Sequence, residues 1–170
     1  MCKQVNMDFL EEVLIQTKLR LGNSNITYNI LTTYNHGKIQ ASKHPKYHYE
    51  ACTLRAKEKH AVPAVGIHFE NGKNNNGKDY QEAINVMNIL LANCGNSLSV
   101  WNFISNKYKN GNVKLSIEPY GQSGFKVNWT SIKLAYNEIN GVKVINQDIL
   151  NMMVDCFYQT INILNQQYPL

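Results

Sequence analysis

Arginine is scarce in this chain, and close cysteine pairs and long apolar runs are missing altogether. Only 2 Arg accompany 15 Lys among 170 residues. Lysine meets phosphate as a flexible point charge, whereas arginine forks onto phosphates and guanine edges, so base-by-base reading of nucleic acid is poorly equipped here. The four cysteines, Cys2, Cys52, Cys94 and Cys156, stand 42 to 62 residues apart. That spacing excludes CxxC-type zinc and redox motifs and reads as reduced thiols, with Cys94 and Cys156 on apolar helix faces. No run of about 18 apolar residues exists to span a membrane as a helix, and no charged-then-apolar leader opens the chain, so the expected location is cytoplasmic. With 10 Gly, 4 Pro and 10% aromatic residues, collagen-like and disordered classes fail. GxSxG, the Walker loop, GxGxxG and HExxH are absent, which lowers acyl-transfer, nucleotide-triphosphatase, Rossmann and zinc-protease readings.

What is present suits one soluble domain spanning 1–170, since 44% apolar content over this length can build a sizeable core. Asparagine is abundant, at 24 residues, as an A/T-rich coding sequence would produce without any functional cause. The formal net charge is +5. It is unevenly spread: between 38 and 59, Lys38, Lys43, Lys46, Arg55, Lys57 and Lys59 face only Glu50 and Glu58. All five histidines, His36, His44, His48, His60 and His68, fall in the same neighbourhood.

Hydrophobic spacing outlines an α+β fold. Residues 7–21 place Leu10, Val13, Leu14, Thr17 and Leu21 on one helical stripe, with Asp8, Glu11 and Glu12 in the first turn, and Gly22 ends the helix. Ile26, Tyr28 and Ile30 alternate with polar residues, and Asn35-His36-Gly37 offers the turn of a hairpin returning through 38–41. Pro45 suggests a helix start, giving a helix to about His60. Val62 to Phe69 reads as a buried strand. A helix from Tyr80 turns Tyr80, Ala83, Ile84, Met87, Leu91 and Cys94 inward, and a shorter one follows through Leu98, Trp101, Ile104 and Tyr108. The clearest period-2 signal runs from Val113 to Val144 and predicts an antiparallel meander with one wet face, with Asn140-Gly141 as a tight hairpin turn. A long helix over 146–168 carries Ile149, Met153, Cys156, Phe157, Ile161, Leu164 and Tyr168 inward. The sum is an antiparallel sheet covered by helices on one side, with N-terminal and long C-terminal helices.

Two basic surfaces follow as candidate binding sites. Lys114, Lys126, Lys133 and Lys143 share the polar register of the meander and predict a solvent-facing stripe that attracts phosphate. Lys38, Lys43, His44, Lys46, His48 and Arg55 surround the expected helix at Pro45, whose N-terminus could seat an anion. Metal binding is not expected, because on a helix Glu50 would lie on nearly the opposite side from His48. Cys52, four residues after His48, would there pair with it as thiolate and imidazolium. His48-Tyr49-Glu50 resembles the HxE element of zinc-dependent nucleoside and nucleic-acid deaminases. That family also needs PCxxC at the next helix, and residues 70–80 contain neither Cys nor Pro.

The leading expectation is therefore a non-enzymatic, inhibitor-type interaction protein without cofactor, binding an acidic macromolecule or nucleotide through a basic face. An accessory protein of a bacterium, phage or mobile element fits that composition. The C-terminal helix offers a surface for a homodimer. The rival expectation is an enzyme acting on a nucleotide or nucleic acid, built on a deaminase-like scaffold or as a nuclease. It uses His48, Glu50 and Cys52, and requires those three to converge.

Overall fold

A computed structural model describes residues 2–22, 26–31, 36–40, 44, 46–55, 61–70, 78–94, 113–120, 124–131 and 136–170. Helix α1 (Cys2–Leu21) is followed by strands β1 (Thr27–Leu31), β2 (His36–Gln40), β3 (Tyr47–Arg55) and β4 (Ala61–Phe69). Then come α2 (Lys78–Cys94), β5 (Val113–Tyr120), β6 (Gly124–Ser131), β7 (Tyr136–Ile139), β8 (Val142–Ile145) and α3 (Gln147–Leu164). Six strands form one antiparallel sheet in the order β1-β2-β3-β4-β6-β5, and β7 and β8 pair separately. The chain is thus α+β, and no helix among the described residues is long and apolar enough to cross a membrane.

One face of the sheet and the three helices share the apolar core. Tyr49 and Ala51 of β3, Val65, Ile67 and Phe69 of β4, and Val127 and Trp129 of β6 pack there with Leu10, Val13 and Leu14 of α1 and Met153, Phe157 and Ile161 of α3. Trp129, fully buried, donates from its indole nitrogen to Thr160 Oγ1 at 2.9 Å, and that hydroxyl donates onward to the Cys156 carbonyl at 2.7 Å. The only polar atom of the indole is therefore satisfied inside the core, as a buried tryptophan requires. Asn146 caps α3, its side-chain oxygen accepting from the backbone nitrogens of Asp148 and Ile149. Arg20 and Asp155 form an ion pair between α1 and α3. Beyond α3, Tyr49 and Tyr47 donate to the carbonyls of Tyr168 and Pro169 and hold the chain end against the sheet.

Much of the outline expected from spacing holds, with shifted edges. The α3 stripe of Met153, Cys156, Phe157, Ile161 and Leu164 is buried within the chain, so its apolar face serves the fold. Asn140 and Gly141 both take positive φ, the geometry of a tight hairpin turn that glycine adopts without strain. Helix α1 begins at Cys2, which moves Asp8, Glu11 and Glu12 out of its first turn. In α2 the inward positions are Asp79, Ala83, Val86 and Leu90, while Tyr80 and Leu91 are exposed. His36 and Gly37 belong to β2 and not to the preceding turn. The hairpin of β7 and β8 leaves the main sheet, so the meander is broken after β6. The helix expected over 97–108 lies outside the described residues.

The largest correction concerns residues 45–60, read as a helix. From Tyr47 to Arg55 they form β3, paired on both sides by β2 and β4. A central strand is buried on both faces, so the hydrophobic-polar contrast that reveals a half-exposed strand is lost. With the helix goes its N-terminus as an anion seat.

Candidate functional site

Alternation along β3 sends Tyr49 and Ala51 to the helices and His48, Glu50 and Cys52 to the opposite face. Residues directly opposite in register share a face, so the partners of these three define what surrounds them. His48 stands opposite His68 of β4, which stands opposite Lys126 of β6, which stands opposite Glu118 of β5. In the next row Lys38, Glu50, Gly66, Asn128 and Ser116 follow one another across the sheet. A Cβ added at Gly66 would fall 1.9 Å from the Val127 carbonyl oxygen, so only glycine permits β4 and β6 to approach as they do beside Glu50.

The face is polar yet buried. Glu50 is 1% exposed, His68 2%, Lys126 4% and His48 7%, and Asn128 is fully buried. His48 Nε2 lies 2.9 Å from Glu50 Oε2, His68 Nδ1 lies 3.7 Å from that same oxygen, and the two ring nitrogens are 3.3 Å apart. The imidazoles meet edge to face with centroids 4.8 Å apart. Lys126 forms an ion pair with Glu50 Oε1, and its ammonium is 3.9 Å from Cys52 Sγ.

Burial pushes the Glu50 carboxyl toward its neutral form, but the His48 hydrogen bond, the adjacent His68 ring and the Lys126 charge outweigh this and hold it well below the usual carboxylate range. Cys52 shifts upward, because burial and the Glu50 carboxylate both disfavour a thiolate, although Lys126 opposes them. Cys52 therefore stays a thiol. The asparagine beside this cluster has a different condition: neither polar atom of the Asn128 amide makes a hydrogen bond among the described residues. A buried amide left without partners costs about 1–3 kcal/mol.

His48, Glu50 and Cys52 are thus brought together, though by a strand. The geometric grounds for expecting no metal disappear with the helix, as does the expected thiolate-imidazolium pair. His48, Glu50 and His68 each offer a ligating atom, all within 4.8 Å of one another, and are the one such trio among the described residues.

The lysine stripe is not a solvent-facing row. Lys126 is buried against Glu50, Lys143 belongs to the separate hairpin and lies over the Tyr136 ring, and Lys133 falls outside the described residues. Lys114 stands opposite Thr130 on the edge strand β5. From the other group, Lys38 is half-buried on the face of Glu50, Lys46 is exposed, His44 stacks on Tyr47, and Arg55 ends β3. Lys43 lies outside the described residues.

The site residues missed by spacing are His68 and Asn128, while Lys126 was expected only as part of an exposed stripe and is found buried against Glu50. His68 is the one titratable side chain in the apolar run 62–69, and Lys126 lies between Phe125 and Val127, signals that gain meaning only when strand register aligns them with Glu50. No protein-family model, no curated protein and no solved structure matches this chain.

Proposed function

We propose that this protein is an enzyme of the acid–base, hydrolytic class acting on an anionic, phosphate-bearing substrate such as a nucleotide, with its reaction centre at His48, Glu50, His68 and Lys126. The observation that carries this reading is the convergence of two imidazoles and an ammonium on one buried carboxylate. Desolvating such groups costs several kcal/mol per ion, and apolar residues of similar volume often replace a buried ion pair without loss of stability. Groups able to hold and move protons, gathered at such a cost, make a candidate reaction centre.

Within it, Glu50 stays ionised and orients His48, the least buried of the four, as the group that exchanges a proton with substrate or water. Lys126 positions Glu50 from its other oxygen. Lys38 and the overall +5 charge favour an anion.

The test is turnover of a panel of nucleoside mono-, di- and triphosphates and short RNA by wild type, His48→Gln and Glu50→Gln. Expected is a fall in rate of about 10²–10⁴ in both variants with the thermal midpoint nearly retained. Equal rates in wild type and His48→Gln would refute the assignment. A second reading, non-catalytic binding of an acidic partner, draws on exposed Lys46 and half-buried Lys38. It gains if the panel is inert while Lys38→Glu/Lys46→Glu weakens salt-sensitive RNA binding.

A further inference from the structure

We infer that His48 Nε2, His68 Nδ1 and Glu50 Oε2 bind one divalent transition-metal ion of the zinc class. The inference rests on the centre proposed above for its location and not on any turnover there.

Two imidazole nitrogens and one carboxylate oxygen are a borderline donor set that suits zinc and its first-row neighbours. The separations agree with that chemistry. The three atoms lie 2.9, 3.3 and 3.7 Å apart, whereas a tetrahedral ion with bonds of about 2.0–2.1 Å holds its ligands roughly 3.3–3.4 Å from one another. Small side-chain adjustments, with no backbone movement, would centre an ion among them.

Proton counting points the same way. Both ring nitrogens crowd one oxygen of Glu50 and each other, so two N–H groups aimed at that oxygen would set their own protons close together. One cation accepts a lone pair from all three at once. The ligands are also held rigidly: His48 and His68 are a cross-strand pair, Glu50 follows two residues later on the same strand, and β3 and β4 are both interior strands of the sheet.

The remaining groups fit around an ion. Lys126 occupies Glu50 Oε1, fixing the carboxylate and leaving Oε2 for the metal, as an outer-shell partner does. Glu118 stands opposite Lys126 in register and adds a negative charge nearby. Cys52 is not part of the trio whose ligating atoms converge. Three protein ligands leave a fourth position for water or substrate, the arrangement of hydrolytic zinc sites.

The experiment uses the full chain, stripped with a chelator and titrated with Zn²⁺ by calorimetry and with Co²⁺ by visible absorption. Expected is one equivalent of either ion, a tetrahedral-type Co²⁺ spectrum, and a rise in thermal midpoint with Zn²⁺. His48→Ala, His68→Ala and Glu50→Gln should each weaken Zn²⁺ binding by about 100-fold or more and lose the spectrum, while Cys52→Ala leaves both unchanged. Circular dichroism identifies any variant that fails to fold, and Glu50→Gln, which keeps the side chain's shape, then decides. Wild type that takes up no stoichiometric metal, or folded ligand variants that bind as tightly as wild type, would overturn the site. Turnover undiminished in the chelator-stripped protein removes the metal as the catalytic occupant and leaves the acid–base reading standing. Stoichiometric metal with no turnover supports the site and counts against the enzyme.

Discussion

The two faces of the central sheet are equally dry and chemically opposite. On one, Tyr49, Val65, Ile67, Val127 and Trp129 meet three helices, and nearly every buried atom gains by leaving water. On the other, the very next residues of the same strands bury a carboxylate, an ammonium, two imidazoles and an amide. Burial on the first face explains itself through the hydrophobic effect. On the second it opposes solvation, a cost for which the reaction centre proposed above would account.

The contrast can be broken experimentally, beginning on the apolar side. Trp129→Ala should cost about 3–5 kcal/mol in urea denaturation, through lost packing and the lost hydrogen bond to Thr160. A loss under about 1 kcal/mol would erase the distinction from that side. Lys126→Met should cost about 3 kcal/mol, because it leaves Glu50 buried without its strongest opposite charge. Adding Glu50→Leu should then recover most of the loss, since an apolar pair of similar volume is no less stable than a buried ion pair. A double variant as unstable as the single one would show that the fold itself depends on the polar face.

Alkaline pH sharpens the comparison from the apolar face. Burial first, and then the neighbouring Tyr47 and Tyr168, raise the ionisation of Tyr49 far above its ordinary position. In the unfolded chain this phenol ionises near pH ~10. The folded state then retains a proton that the unfolded state has lost, so its contribution is complete below pH ~10 and declines above it. One such proton gives a slope of about 1.4 kcal/mol per pH unit. Tyr49→Phe should make the alkaline decline in stability shallower by that slope, measured by denaturation between pH 9 and ~11. The smallest effect expected lies away from both faces: Asn146→Ala should lower stability by about 1 kcal/mol by uncapping α3, read as a drop in thermal midpoint.

Legibility in the sequence followed solvent contrast and local chemistry. The amphipathic stripe of α3, the Asn140-Gly141 turn and the alternation of Val127 and Trp129 could be read because each is set by neighbours in the chain. The stretch from Tyr47 to Arg55 could not, since aromatic residues on one face and buried titratable residues on the other give a central strand no polar side. His48, Glu50 and Cys52 were visible as candidates by residue type, while their geometry depended on strand or helix. His68 and Lys126 join the site from positions 20 and 78 residues beyond His48, a relation that pairing alone creates. Lys126 in particular follows the alternation expected of an exposed lysine, yet it is buried in an ion pair with Glu50 across the sheet.

The strict alternation of β3 and β4 has a consequence for how this protein tolerates change in length. Inserting or deleting one residue within 47–52 would exchange the two sides downstream, aiming Tyr49 and Ala51 at the polar centre and Glu50 at the helices. Substitutions can tune either side separately, but a change of length strikes core and site together. These strands should therefore refuse any insertion or deletion, so their residue count is as much a part of the site as its histidines.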